Sequence, residues 1–184
     1  MGFRQNFSNR ITASLGIGVA VLIAAPGCGT SAESAARGFD RISDSETTLS
    51  IAQFEDGGFK RSKTYDVTEL PAAESAFLGY YRPPGDDPVQ YELRFYPDHA
   101  TAVDEGTSFA AEVSGRDALP KENDVAWKEG TRDRRGGGAF RDTITPLYAD
   151  FAIFGNVILL CEGRDSQQSI GRCAALLRQI SATD

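Results

Sequence analysis

The densest run of charge in the chain is Arg132-Asp133-Arg134-Arg135, followed by Gly136-Gly137-Gly138. A guanidinium carries a planar fork of N–H donors that grips carboxylate or phosphate at two points. Arg132, Arg134 and Arg135 beside flexible glycines therefore form a candidate anion- or partner-binding loop. The competing readings are a mobile, solvated loop and a contact with lipid head groups. The spacing is not that of a phosphate loop, which needs G-x-x-x-x-G-K-[ST]. His99 is the only histidine, so a hydrolase here would have to use it as its base, with Asp98 or Glu105 as carboxylate partner. No Gly-x-Ser-x-Gly elbow supplies a nucleophile, and a surface histidine at a helix start is the commoner reading of such a residue. The carboxylates Asp86-Asp87, Asp104-Glu105, Glu122/Asp124 and Glu55-Asp56 do not follow the calcium-loop pattern and read as solvated faces. One His and three Cys are too few for a zinc cluster, so neither metal nor cofactor is expected. Trp127, Tyr80, Tyr81, Tyr91 and Tyr96 can line a groove on a sheet or, more commonly, pack into a core.

The elements that must position these residues come from periodicity. Lys63 to Leu70 (KTYDVTEL) reads as a strand stopped by Pro71, and Ala76 to Arg82 (AFLGYYR) as an aromatic-rich strand. The turn cluster PPGDDP at 83–88 leads into a strand over 89–96. There Val89, Tyr91, Leu93 and Phe95 face one way, and Gln90, Glu92, Arg94 and Tyr96 the other, the period of a half-buried strand. Asp98 caps a helix running to Gly115. Tyr148 to Phe154 and Val157 to Cys161 are strands joined at Gly155-Asn156, with Gly at the first turn position of a type II′ hairpin. The second of these, VILLC, is apolar without alternation and so central in a sheet. Asp165 and Gln168 make a capping-box pattern ahead of a helix striped by Ile170, Cys173, Leu176, Leu177 and Ile180. The order strand–strand–helix thus occurs twice, at about 76–115 and 148–181. The expected fold class is α+β: a single antiparallel sheet with two helices on one face. Between the halves, 116–146 is long and polar, with a short strand expected near Val125–Lys128.

The front of the chain differs from the rest. Met1 to Arg10 is polar with two positive charges, Ile11 to Ala25 is uncharged and apolar, and Pro26-Gly27-Cys28 follows. This is the layout of a secretory signal peptide, and the apolar run is short of the roughly 20 residues that span a bilayer. Ala25-Pro26-Gly27-Cys28 resembles the lipobox of bacterial lipoproteins, with Gly27 and Cys28 in place and Ala25 where that family carries Leu. The resemblance covers residues 1–28 alone. It implies cleavage before Cys28 and a diacylglyceryl group on its thiol. Residues 1–27 are then the signal, 28–50 (beginning CGTSAESAARG) a flexible tether with a short helix near 35–42, and 51–184 one α+β domain. With Cys28 lipidated, Cys161 and Cys173 remain. An even pair outside the cytoplasm is expected to oxidise, closing a loop of about a dozen residues and stabilising the fold by around 3 kcal/mol. The absence of Cys-x-x-Cys argues against a redox role.

Composition narrows the function. Hydrophobic residues at 41% and charged residues at 24% fit a globular domain. A net charge of −7, or −9 once Arg4 and Arg10 leave with the signal, repels phosphate backbones and excludes non-specific nucleic-acid binding. The expectation is a lipid-anchored extracytoplasmic protein on the outer face of the cytoplasmic membrane or on the outer membrane. It is read as a non-enzymatic binding or accessory module whose partner is an envelope protein or a small ligand. The alternatives are an envelope hydrolase using His99, and a small-ligand carrier with a pocket between sheet and helices.

Overall fold

The computed structural model describes residues 39–43, 45–136 and 144–181. Cys28 and the signal-like segment lie outside the described residues. The strands are β1 (Ile42–Ser43), β2 (Lys60–Tyr65), β3 (Ser75–Tyr81), β4 (Val89–Phe95), β5 (Arg135–Gly136), β6 (Thr145–Pro146), β7 (Tyr148–Phe154) and β8 (Val157–Glu162). The helices are α1 (Ile51–Asp56), α2 (His99–Thr101), α3 (Thr107–Glu112) and α4 (Ser166–Ser181), with a π-helical turn at Ala102–Gly106 joining α2 to α3.

Six strands form one sheet in the order β1-β7-β8-β4-β3-β2, and β5 and β6 form a separate two-stranded ribbon. Every pairing in the large sheet is antiparallel except β1 on β7, which is parallel. The fold is α+β, but the sheet is mixed. β1 comes from the segment expected to be tether. Arg41 pairs with Asp150 at 3.5 Å, and Leu49 is buried against the sheet. The side-chain amide of Asn156 fixes this segment by accepting from the Leu49 N–H at 2.7 Å and donating to the Leu49 and Tyr96 carbonyls.

The helices do not share one face. Strand residues alternate sides, so Val157, Leu159 and Cys161 point opposite to Ile158 and Leu160. The first set packs with Tyr91, Leu93, Phe95 and the α4 stripe Ile170, Cys173, Leu176, Leu177 and Ile180, together with Phe54 of α1. The second set packs with Ala102, Ala110 and Val113 of the 99–113 segment. The cause is β8 itself, apolar at both parities and therefore in need of cover on both sides.

The local signals act where the sequence places them. Asp98 Oδ1 accepts from the Thr101 N–H at 2.7 Å, and Asp165 Oδ1 from the Gln168 N–H at 2.8 Å. The Gln168 side chain accepts from Arg164 N–H, one residue ahead of the position a strict capping box uses. Gly155 has φ +53, as a II′ turn requires at its first central position. Cys161 of β8 is bonded to Cys173 of α4, with Cα atoms 5.7 Å apart. Residues 125–128 form no strand, although Val125 and Trp127 are buried.

Candidate functional site

The second face of β4 carries Gln90, Glu92, Arg94 and Tyr96, the residues whose types look like a solvent face. None is exposed, and Glu92 and Arg94 are 0% accessible. They lie between two apolar clusters, because β4 runs between β8, which serves one, and β3, which serves the other. Burying a charge is costly unless it is paired and hydrogen-bonded, and here the pairing comes from far along the chain. Glu92 Oε1 accepts from Arg94 Nε at 2.7 Å and from Arg134 Nη2 at 3.1 Å, while Oε2 accepts from Arg134 Nε at 2.7 Å.

Both guanidinium groups pack on Trp127. Arg94 stands 4.8 Å and Arg134 4.4 Å from the ring centroid, and Tyr65 packs edge-on to the indole at 5.8 Å. The indole N–H donates to the Asp66 carbonyl. Delocalised guanidinium groups tolerate such stacking better than an ammonium would. Around this core, the Tyr65 hydroxyl donates to Asp133 Oδ2 at 2.9 Å, and Lys63 Nζ reaches the same oxygen at 2.9 Å. The Gln90 amide donates to the Asp133 carbonyl and to the Tyr148 hydroxyl oxygen, both at 2.8 Å. The Arg132–Arg135 run is thereby tied to the sheet.

The electrostatics fix protonation states. Burial pushes the Glu92 carboxyl up, but the guanidinium groups of Arg134 and Arg94 and their hydrogen bonds outweigh it and hold it below its ordinary value. Burial, with Glu92 nearby, pushes the Tyr65 and Tyr148 hydroxyls far above theirs, so both remain neutral. A carboxylate whose oxygens are engaged by three N–H groups, flanked by arginines that do not deprotonate, cannot shuttle protons near neutral pH. What the cluster can do is hold a surface rigidly.

That surface is an open groove. A cavity of about 270 Å³ is bounded by Lys63, Glu122, Lys128, Glu129, Arg132 and Asp133. Another of about 190 Å³, bounded by Asp66, Glu69 and Trp127, shares Glu122, Lys128 and Glu129 with it. Its walls carry both signs of charge. Arg132 is exposed on this groove, Arg134 is buried against Trp127 and Glu92, and Arg135 is partly buried in β5. The three arginines anticipated as one loop surface have three different environments. His99 lies elsewhere, with Nδ1 2.9 Å from the Gly155 carbonyl, beside a surface cavity of about 330 Å³ lined also by Thr47, Thr48 and Asp98. Tyr81, Tyr91 and Tyr96 are core residues, and Tyr80 is exposed. Sequence reasoning missed Glu92 and Arg94 as site residues. The available signal was an acid and a base two apart on a strand facing away from its own apolar side.

No curated protein matches the chain, and no solved structure matches it. The profile of a family described as of unknown function, DUF6810, matches residues 50–182, well over half of the chain, and the protein belongs to that family.

Proposed function

We propose that this protein is a lipid-anchored extracytoplasmic binding module, tethered through Cys28, that presents the charged groove over the Glu92–Arg94–Arg134 cluster to a polar partner of the cell envelope. The observation that carries the location is the Cys161–Cys173 bond, buried between β8 and α4. Such bonds persist in oxidising compartments and are rare where thiols are kept reduced. The lipobox-like end of the leader points the same way. Binding is favoured over catalysis because both Glu92 oxygens are taken up by arginine N–H groups and the Tyr65 hydroxyl by Asp133, so the cluster is engaged with itself. A groove with charged walls of both signs suits a polar polypeptide or polymer segment better than an apolar small molecule.

Cell fractionation tests the reading. The wild-type chain sediments with membranes and is accessible to protease from outside the cytoplasm, and Cys28→Ala moves it to a soluble fraction. A photo-cross-linker at position 129 gives a discrete adduct that Lys63→Glu with Lys128→Glu diminishes. Recovery of the protein from cytosol overturns the location, and an adduct pattern unchanged by the charge reversals overturns the groove.

A further inference from the structure

The six-stranded sheet ends on β2. The first five residues of this strand are exposed and only Tyr65 is buried. Successive residues of a strand turn their N–H and C=O groups to opposite sides, so part of the β2 backbone faces away from β3. Among the described residues, no main chain other than that of β3 pairs with 60–65. Proteins blunt such edges with lysines and bulges, and β2 has both. Lys60, Arg61 and Lys63 fall within six residues, and the register shifts between Arg61 and Lys63. These devices exclude a second copy of β2, whose like charges would lie opposite one another. They do not exclude a strand of the opposite charge.

The bulge also sorts the cations. Lys60 lies opposite Tyr80 and Lys63 opposite Leu78, two positions apart on β3 and therefore on one face. Arg61 lies opposite Gly79 and stacks over Phe77 on the other face. Lys60 and Lys63 thus form a row along the edge, on the face where Lys63 also lines the groove. Lys60 makes no ion pair among the described residues. The Lys63–Asp133 pair lies at the surface, with side chains 49% and 32% exposed. Such a pair is worth little, and the ammonium has further N–H donors for an incoming carboxylate.

We propose that the outer edge of β2 takes up an extended acidic polypeptide segment as a seventh strand. Its backbone pairs with the outward N–H and C=O groups of β2, in the mode of β-strand addition, and carboxylates at every second position meet Lys60 and Lys63. Main-chain pairing supplies the affinity, and the lysine row selects the partner. The inference rests on the reading of this face as the binding surface and names the partner as protein.

In the test, the full chain purified in neutral detergent is titrated with the capped peptide Glu-Thr-Glu-Thr-Glu-Thr-Glu. Affinity is read by fluorescence anisotropy of the labelled peptide, and the contact is located by amide exchange. The expected result is binding with slowed exchange at 60–65. A peptide with Lys in place of Glu binds about tenfold more weakly, the sum of a few cross-strand charge pairs. Lys60→Glu, at an exposed position, weakens binding of the acidic peptide by about fivefold and leaves Tm unchanged. Two further peptides keep every charge but carry N-methyl groups, one on its Glu residues and the other on its Thr residues. An added strand turns only one of these sets toward β2, so one peptide loses binding and the other retains it. Binding of both as tight as the parent peptide means charge contact alone, as an anionic polymer would make, and overturns the proposal. Unchanged exchange at 60–65, or a dimer of the chain closed through β2, overturns it as well. Either result leaves the groove reading standing if the position-129 adduct still responds to the groove charges.

Discussion

Replacing Glu92 by Gln keeps the shape of the side chain and removes its charge, so it isolates the electrostatic role of the cluster. The wild-type carboxylate accepts three charge-assisted hydrogen bonds of 2.7, 2.7 and 3.1 Å at zero exposure. Two unit charges about 4 Å apart interact by about 4 kcal/mol at an effective dielectric of about 20, so two pairs represent about 8 kcal/mol before relaxation. The amide recovers part of this with its remaining oxygen, and water entry screens more. Breaking a buried pair by removing one partner typically costs about 3–5 kcal/mol, which is the expected loss here. For a domain of this size that lowers Tm by about 10–20 °C.

The same variant carries a pH signature. The folded protein holds Glu92 below its ordinary value, so between the folded value and the unfolded value of about 4.3 the unfolded chain binds the extra proton. Stability therefore rises with pH through that window, and the contribution is fully present above about pH 4.3 and lost as pH falls through the folded value. Urea melts followed by circular dichroism at pH 7 and across pH 3–5 measure both effects. Glu92→Gln is less stable at pH 7, and its stability falls less steeply in acid. A variant within about 0.5 kcal/mol of wild type at pH 7, with an unchanged acid slope, would refute the assignment of the cluster as a paired buried charge.

Other substitutions probe the frame around the cluster. A Cβ at Gly106 would meet Ile158 Cδ1 at 2.5 Å and the Tyr96 hydroxyl at 2.6 Å. Gly106→Ala is thus expected to destabilise by about 1–3 kcal/mol through overpacking, despite the better helix propensity of Ala, as read by thermal melting. Asn156→Ala strands the Leu49 N–H and two carbonyls. It costs about 2–3 kcal/mol and loosens residues 45–50, seen as faster amide exchange there. Cys161→Ala with Cys173→Ala removes the link between β8 and α4, lowering stability by about 3 kcal/mol; wild type under reductant approaches the same Tm.

What the sequence showed clearly was local. Asp98 and Asp165 could be assigned as caps, Gly155 as the turn, and Tyr148–Phe154 as a strand, because each rests on chemistry within a few residues. The Cys161–Cys173 pair was legible because these are the two cysteines left once Cys28 is set aside for lipid, and they fall on a strand and a helix that pack together. The helices cover both faces of the sheet and not one, and the signal for this is present in the sequence. Val157–Cys161 has no polar side, and a strand with no polar side cannot face solvent, so helices were needed on both faces. β1 contributes only two residues, too few for any period to declare itself.

The cluster was hidden for a different reason. Alternation on β4 set Gln90, Glu92, Arg94 and Tyr96 opposite its apolar residues, and polar types suggest water. Which polar residues find water and which find each other depends on a partner 42 positions away, Arg134, carried by a segment with no regular periodicity of its own. The run Arg132–Arg135 is conspicuous in the sequence for its charge density, yet nothing local distinguishes the buried Arg134 from the exposed Arg132.

Intact mass spectrometry of the protein extracted from membranes reads together the Cys161–Cys173 bond and the lipid proposed on Cys28. The predicted mass is that of the chain from Cys28 to Asp184 bearing acyl chains, two hydrogens lighter than the reduced form and shifting up by two on reduction. A mass beginning at Met1, without lipid and with Cys161 and Cys173 as free thiols, would contradict it.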